Sequence, residues 1–305
     1  MATIMANGLN LAYETHGKPS DPCVLLVMGL GMQLIAWPED FVEGLVEQGF
    51  HVLCFDNRDA GLSSKMTQAG KPHLPLAYLK NLVGWPLKSA YTLDDMAQDA
   101  LALLASLRIE AAHVIGVSMG GMIAQVMAAR APEQVLSLTS IMSSSGRRGL
   151  PGPTRAARLA LLQGPKRKAS RDEVMAHMLA TVRVIGSPSY PIAEKILYRR
   201  IAAALERGSC PEGAARQMVA IAASGERTEL LKSIRCPSLV IHGAADPLIP
   251  VACGIDTAAL IPGARLEVIE GMGHDMPPQL IERLLALIDM HLQGKMAEQL
   301  RSQLA

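Results

Sequence analysis

Short apolar runs alternate along this chain with longer stretches whose apolar residues recur every three to four positions. Residues 24–28, 51–55, 112–116, 136–142, 238–243 and 266–269 are the short runs. They are rich in Val, Ile and Leu, which predicts strands buried on both faces. Residues 37–48, 93–107, 119–130, 251–260 and the stretch from Pro278 carry the helical period. Gly49 stops the first helix, Thr92 and Asp95 form a capping-box start for the second, and Pro132 follows the third. Asn7-Gly8 predicts a hairpin turn near the N-terminus. This strand–helix alternation requires an α/β fold with a mostly parallel sheet and helices on both faces. The rhythm breaks over 146–233, where the pattern is helical, without a strand, and punctuated by turns at 149–153 and 186–188. The expected organisation is a core of 1–145 and 234–305 with a helical cap inserted at 146–233. The polar tail, 295–305, is expected to fray.

One strand–helix junction carries the strongest chemical signal. The run into Gly116-Val117-Ser118-Met119-Gly120 stops at Gly-x-Ser-x-Gly and turns helical. That spacing describes a tight elbow which projects a serine hydroxyl at a helix N-terminus. The flanking glycines let backbone pass close to the serine, and the free N–H groups beyond it favour a developing negative charge. A serine hydroxyl is a poor nucleophile until a base removes its proton. An acid and then a histidine are expected later in the chain. Asp246 follows the strand at 238–243, and His274 follows the strand at 266–269 within a glycine-rich turn. Both sit just past strand ends, the edge where sites assemble in parallel sheets. Histidine takes and returns protons near neutral pH. Of the eight histidines, only His274 has this setting. Asp275 is the rival acid, disfavoured by its adjacency to His274; Asp256 falls within a helix.

With these three ordered motifs the chain resembles the α/β-hydrolases along nearly its whole length. Within them it is similar to the aclacinomycin methylesterase-like branch, through 27–31 (VMGLG), 36–38 (AWP), 55–63 (FDNRDAGLS) and 271–274 (GMGH). The resemblance implies an oxyanion hole built from two backbone N–H groups. One comes from Met119, the other from the loop after the first parallel strand. Many relatives carry His-Gly-x there; this chain has Met28-Gly29, which makes Leu30 the expected donor, with Met28 or Gly29 able to shift into the role. The segment 56–61 (DNRDAG) is implied to be a structural turn whose polar groups bond to backbone. The resemblance also implies a cofactor-free serine hydrolase for carboxylic esters, on small-alcohol esters or lactones of hydrophobic acids. A C–C bond hydrolase, a perhydrolase or acyltransferase, and a binding protein without turnover are the alternatives.

Composition narrows the picture. The chain has 305 residues, half of them apolar, and a net charge of +1. A near-neutral balance gives no reason to expect nucleic acid as a partner. The five cysteines lack Cys-x-x-Cys spacing, and residues 1–8 lack a leader pattern, so a reduced cytoplasmic chain is expected. No metal-ligand spacing and no phosphate-binding glycine fingerprint occurs. No apolar run approaches a membrane span. Oligomeric state is not readable. The 17 methionines leave two readings open: core filler in a chain poor in aromatics, or a plastic pocket from Met28, Gly29, Met32, Met119 and Met272. Arg147, Arg148, Arg155, Arg158, Lys166, Arg167, Lys168 and Arg171 make the start of the insertion basic. They form either a solvated face or a surface for acidic substrates or anionic lipid.

Overall fold

In the computed structural model, Asn7 and Gly8 both take positive φ, 49° and 74°. They close β1 (Ala2–Ala6) onto β2 (Leu9–His16) as an antiparallel hairpin. The structure describes residues 1–82, 85–162 and 169–304, with side chains at 81–82 and 295–304 outside the description. Lys166, Arg167 and Lys168 of the basic run therefore lie outside the described residues.

After the hairpin, β3 (Cys23–Val27) leads to α1 (Glu39–Glu47) and β4 (His51–Phe55). An excursion carrying α2 (Leu74–Leu82) precedes α3 (Leu93–Ser106). The Thr92 side chain caps α3 with Asp95 as its reciprocal partner, as the sequence pattern predicts. Then come β5 (Ala112–Val117), α4 (Met119–Arg130) and β6 (Val135–Ile141). Among the described residues, five helices separate β6 from the next strand: α5 (Arg155–Leu162), α6 (Arg171–Ile185), α7 (Glu194–Arg207), α8 (Pro211–Ser224) and α9 (Thr228–Lys232). The chain returns to the sheet with β7 (Ser238–Gly243), α10 (Val251–Leu260), β8 (Arg265–Ile269) and α11 (Pro278–Leu304). The tail expected to fray is helical to Leu304.

The eight strands run in the order β1-β2-β4-β3-β5-β6-β7-β8. Both pairings of β2 are antiparallel; every pairing from β4 to β8 is parallel. The crossover from β3 goes outward to β4, and the next returns past β3 to β5. That reversal opens a crevice at the carboxyl ends of β3 and β5, where parallel sheets place ligands.

Alternation along the strands divides the core in two. Leu25, Val27 and Val114 face α3 and α4, whereas Val24, Leu26 and Ile115 face α1 and α11. Gly44 of α1 lies so close to Leu285 of α11 that a side chain there would overlap it. None of the five cysteines forms a disulfide. Burial pushes the Cys23 thiol up to about 12, in keeping with a small apolar core residue. Met28 and Met272 belong to the α1/α11 core, and Met272 is 0% exposed. The Met272 carbonyl lies against Gly243, where a Cβ would overlap it. Met119 is also buried, and Met32 stands exposed.

Candidate active site

Ser118 sits between β5 and α4 with φ 55° and ψ −120°, a conformation that costs a non-glycine residue roughly 1–3 kcal/mol. Its surroundings fix it there. The Ser118 N–H donates to the Ile141 carbonyl at 2.9 Å, and the Ser143 hydroxyl donates to the Ser118 carbonyl at 2.8 Å. A Cβ on Gly116 would overlap the Gly120 carbonyl, and one on Gly120 would overlap the Val27 carbonyl. Only glycine at both positions lets α4 start this close to β3 and β5.

The structure brings Ser118, His274 and Asp246 into one chain of hydrogen bonds. His274 Nε2 lies 3.0 Å from Ser118 Oγ, and His274 Nδ1 lies 2.7 Å from Asp246 Oδ2. The carboxylate accepts a hydrogen bond from Nδ1–H, which leaves Nε2 free to accept the serine proton. Asp246 is buried, and its other oxygen accepts from the Leu248 and Ile249 N–H groups at 2.8 and 2.9 Å. The His274 turn is held from the intervening helices. Its N–H donates to the Ile185 carbonyl at 2.7 Å, and the Gly273 N–H donates to Ser187 Oγ at 2.8 Å.

Asp275, the rival acid, accepts a hydrogen bond from the Ser187 hydroxyl. Burial raises its carboxyl above the ordinary range, partly opposed by Ser187. Asp256 pairs with Arg147 and accepts from Ser145 Oγ. Neither occupies the His274 Nδ1 position.

Gly29 packs against Ser118, with room for a Cβ only 3.3 Å from the serine Cβ. Among the described residues, the Leu30 and Met119 N–H groups have no hydrogen-bond partner. The loop carrying Leu30 is braced at both ends. The Asn57 amide donates to the Met28 carbonyl at 2.9 Å, and Gln217 of α8 accepts the Gly31 N–H at 2.7 Å. These two amides brace the loop in which this chain carries Met28-Gly29.

Sequence reasoning missed His242. It lies on β7, fully buried, with Nε2 donating to the Ile249 carbonyl at 2.7 Å and 3.6 Å from Asp246 Oδ2. Burial holds its imidazole below the ordinary value. It closes the turn whose Ile249 N–H bonds Asp246. Its spacing of four from Asp246 was the available signal, hidden inside a strand pattern.

The 56–61 turn reaches beyond backbone. Asp56 accepts the Leu34 and Leu62 N–H groups at 2.7 and 2.8 Å, and Arg207 Nη1 of α7 at 2.6 Å. Asp59 accepts Arg216 of α8 through Nε and Nη2 at 2.8 and 2.7 Å, and the Tyr91 hydroxyl at 2.7 Å. Arg58 makes a two-pronged pair with Asp99 at 2.5 and 2.6 Å. Among the described residues, no group of three or more His, Cys, Asp or Glu is placed to hold a metal ion.

The chain as a whole is similar to known proteins. Residues 22–278 match the family model of the alpha/beta hydrolase fold. The chain is 30% identical to rhodomycin D methylesterase DnrP of Streptomyces peucetius over 93% of its own length and 95% of that protein. It is 27% identical to 3-oxoadipate enol-lactonase 2 of Acinetobacter baylyi, covering 88% of each. A meta-cleavage product hydrolase of Pseudomonas fluorescens shares the fold with a TM-score of 0.75 at 19% identity, over 96% of this chain and 98% of that one. The chain belongs to the alpha/beta hydrolase fold family.

Proposed function

We propose that this protein is a serine hydrolase of carboxylic esters that works through an acyl-enzyme. The observation that carries the reading is the unbroken chain Ser118 Oγ–His274 Nε2, His274 Nδ1–Asp246 Oδ2, at 3.0 and 2.7 Å. Its similarity to a rhodomycin D methylesterase and to a 3-oxoadipate enol-lactonase supports methyl esters or lactones as the substrate class.

Ser118 Oγ attacks the ester carbonyl carbon while His274 Nε2 accepts the hydroxyl proton. The carbonyl oxygen becomes an oxyanion within reach of the Leu30 and Met119 N–H groups. Donors placed there in advance stabilise charge only as it develops; losing one costs about 10²–10³ in rate. Asp246 holds the ring so that Nε2 faces the serine, and stabilises the imidazolium. His274 then protonates the departing alkoxide, which leaves as the alcohol. Water, deprotonated by the same nitrogen, attacks the acyl-serine and releases the acid. Residues 146–233 act in this reading as a cap over the site, which Gln217 and the Ile185–Ser187 turn join to the oxyanion loop and the histidine turn.

The test is the initial rate on p-nitrophenyl esters of increasing acyl length, with fluorophosphonate labelling run beside it. Serine-dependent turnover and labelling at Ser118 are expected. Absence of both, in folded protein, would refute the hydrolase and favour a binding protein. Labelling without turnover would exclude simple esters and redirect the search to bulky methyl esters or to dicarbonyls cleaved at carbon–carbon bonds.

A further inference from the structure

The excursion between β4 and α3 has an unusual surface. On α2 the outward-facing positions are apolar: Pro75, Leu76, Tyr78 and Leu79 are exposed, while Ala77 and Lys80 turn inward. The helix packs on α8. Trp85 follows, 66% exposed, its N–H bonded to the Lys80 carbonyl at 2.8 Å. An apolar helix face turned to solvent reverses the usual arrangement and marks a contact surface. Its charge is one-sided. From Ala60 to Leu93 the chain has no Asp or Glu, but it has Lys65, Lys71, Lys80 and Lys88. Lys65 is spent on the carbonyls of Ala60 and Gly61, whereas Lys71 and Lys88 are exposed.

We propose that α2 and Trp85 dock this protein on anionic lipid surfaces. A two-fold contact between copies would bring the same lysines face to face, so the charge opposes self-association. A bilayer carrying negative headgroups matches both halves of the surface: the lysines meet the headgroups, and Leu76, Leu79, Tyr78 and Trp85 enter the interface. Tyr and Trp, with an apolar body and a polar tip, suit that depth. Among the described residues no helix is long and apolar enough to cross a membrane; the contact proposed is with the bilayer surface.

The two tryptophans supply the readout. Trp37 is 4% exposed and stacks on Phe41, so only Trp85 can change its surroundings on docking. Phosphatidylglycerol-containing vesicles are expected to shift Trp85 emission to the blue and to co-sediment the protein, with binding that weakens as salt rises. Phosphatidylcholine vesicles are expected to bind at least tenfold more weakly, since each lysine near an anionic surface contributes roughly fivefold. Leu79→Glu, with unchanged circular dichroism and melting, is expected to lose co-sedimentation, and Lys71→Gln with Lys88→Gln to lose the preference for anionic lipid. Unshifted emission, equal binding to both vesicles, or a dimer abolished by Leu79→Glu would overturn the proposal.

Discussion

Two sets of buried aspartates stand just past the carboxyl ends of parallel strands, and their partners differ. Asp56 and Asp59 follow β4 and meet Arg207 and Arg216. Asp246 follows β7 and meets His274. Arginine keeps its proton at any pH the fold survives, so its pairs are fixed joints. Imidazole gives up and takes back a proton near neutrality, so its pair can take part in a reaction. The Asp59 carboxyl shows the joint clearly. Burial alone would raise it, but the Arg216 and Tyr91 hydrogen bonds outweigh burial and hold it below the ordinary range. One set of carboxylates fastens α7 and α8 to the sheet; the other holds the His274 ring.

The sharpest way to break this contrast is to remove each member in turn. Ser118→Ala is expected to cost about 10⁶ in kcat while leaving the melting transition in place. Asp246→Asn is expected to cost about 10⁴ through the wrong histidine tautomer, with Asp275→Asn close to wild type. A larger loss in Asp275→Asn would reverse the assignment of the acid. Arg216→Ala should do the opposite of Asp246→Asn. By stranding a buried Asp59 it is expected to lower stability by about 3–5 kcal/mol, measured by denaturant unfolding, with a smaller change in kcat.

His242→Gln lies between the two classes. Glutamine can still donate to the Ile249 carbonyl, so a loss of about 1–3 kcal/mol or less in stability is expected. Its pH signature is more specific. The folded imidazole is held below 6.5 by burial, so below that pH the unfolded chain binds the proton more readily. Stability therefore falls as pH drops through 6.5 toward the lower folded value, and His242→Gln should flatten that slope. An unchanged slope in urea titrations between neutral and acid pH would remove His242 from this role.

The same contrast explains what the sequence disclosed. The elbow, α4 at Met119–Arg130 and α10 at Val251–Leu260 agree with the structure residue for residue, because periodicity, caps and glycines are local signals. Ser118, Asp246 and His274 were legible for the same reason: each follows a strand that announces itself. The arginine joints were not. Asp56 and Asp59 read as turn formers, and nothing nearby names partners 151 and 157 residues away. Gln217 was hidden for that reason too. The helix α2 escaped because Leu76, Tyr78 and Leu79 depart from the usual buried stripe; all three are exposed. Proximity of Met272 to His274 in sequence does not say which way its side chain turns; in the fold it belongs to the α1/α11 core.

The joint between β4 and the later helices sets an order on synthesis. Asp56 and Asp59 leave the ribosome 151 and 157 residues ahead of Arg207 and Arg216. At about 5–20 residues per second, roughly ten to thirty seconds separate each acid from its partner. A carboxylate sealed from water without a counter-charge is unfavourable, so during that interval the turn after β4 stays hydrated and the strands beside it stay loosely closed. The joint between β4 and the later helices thus cannot close until both arginines have been translated.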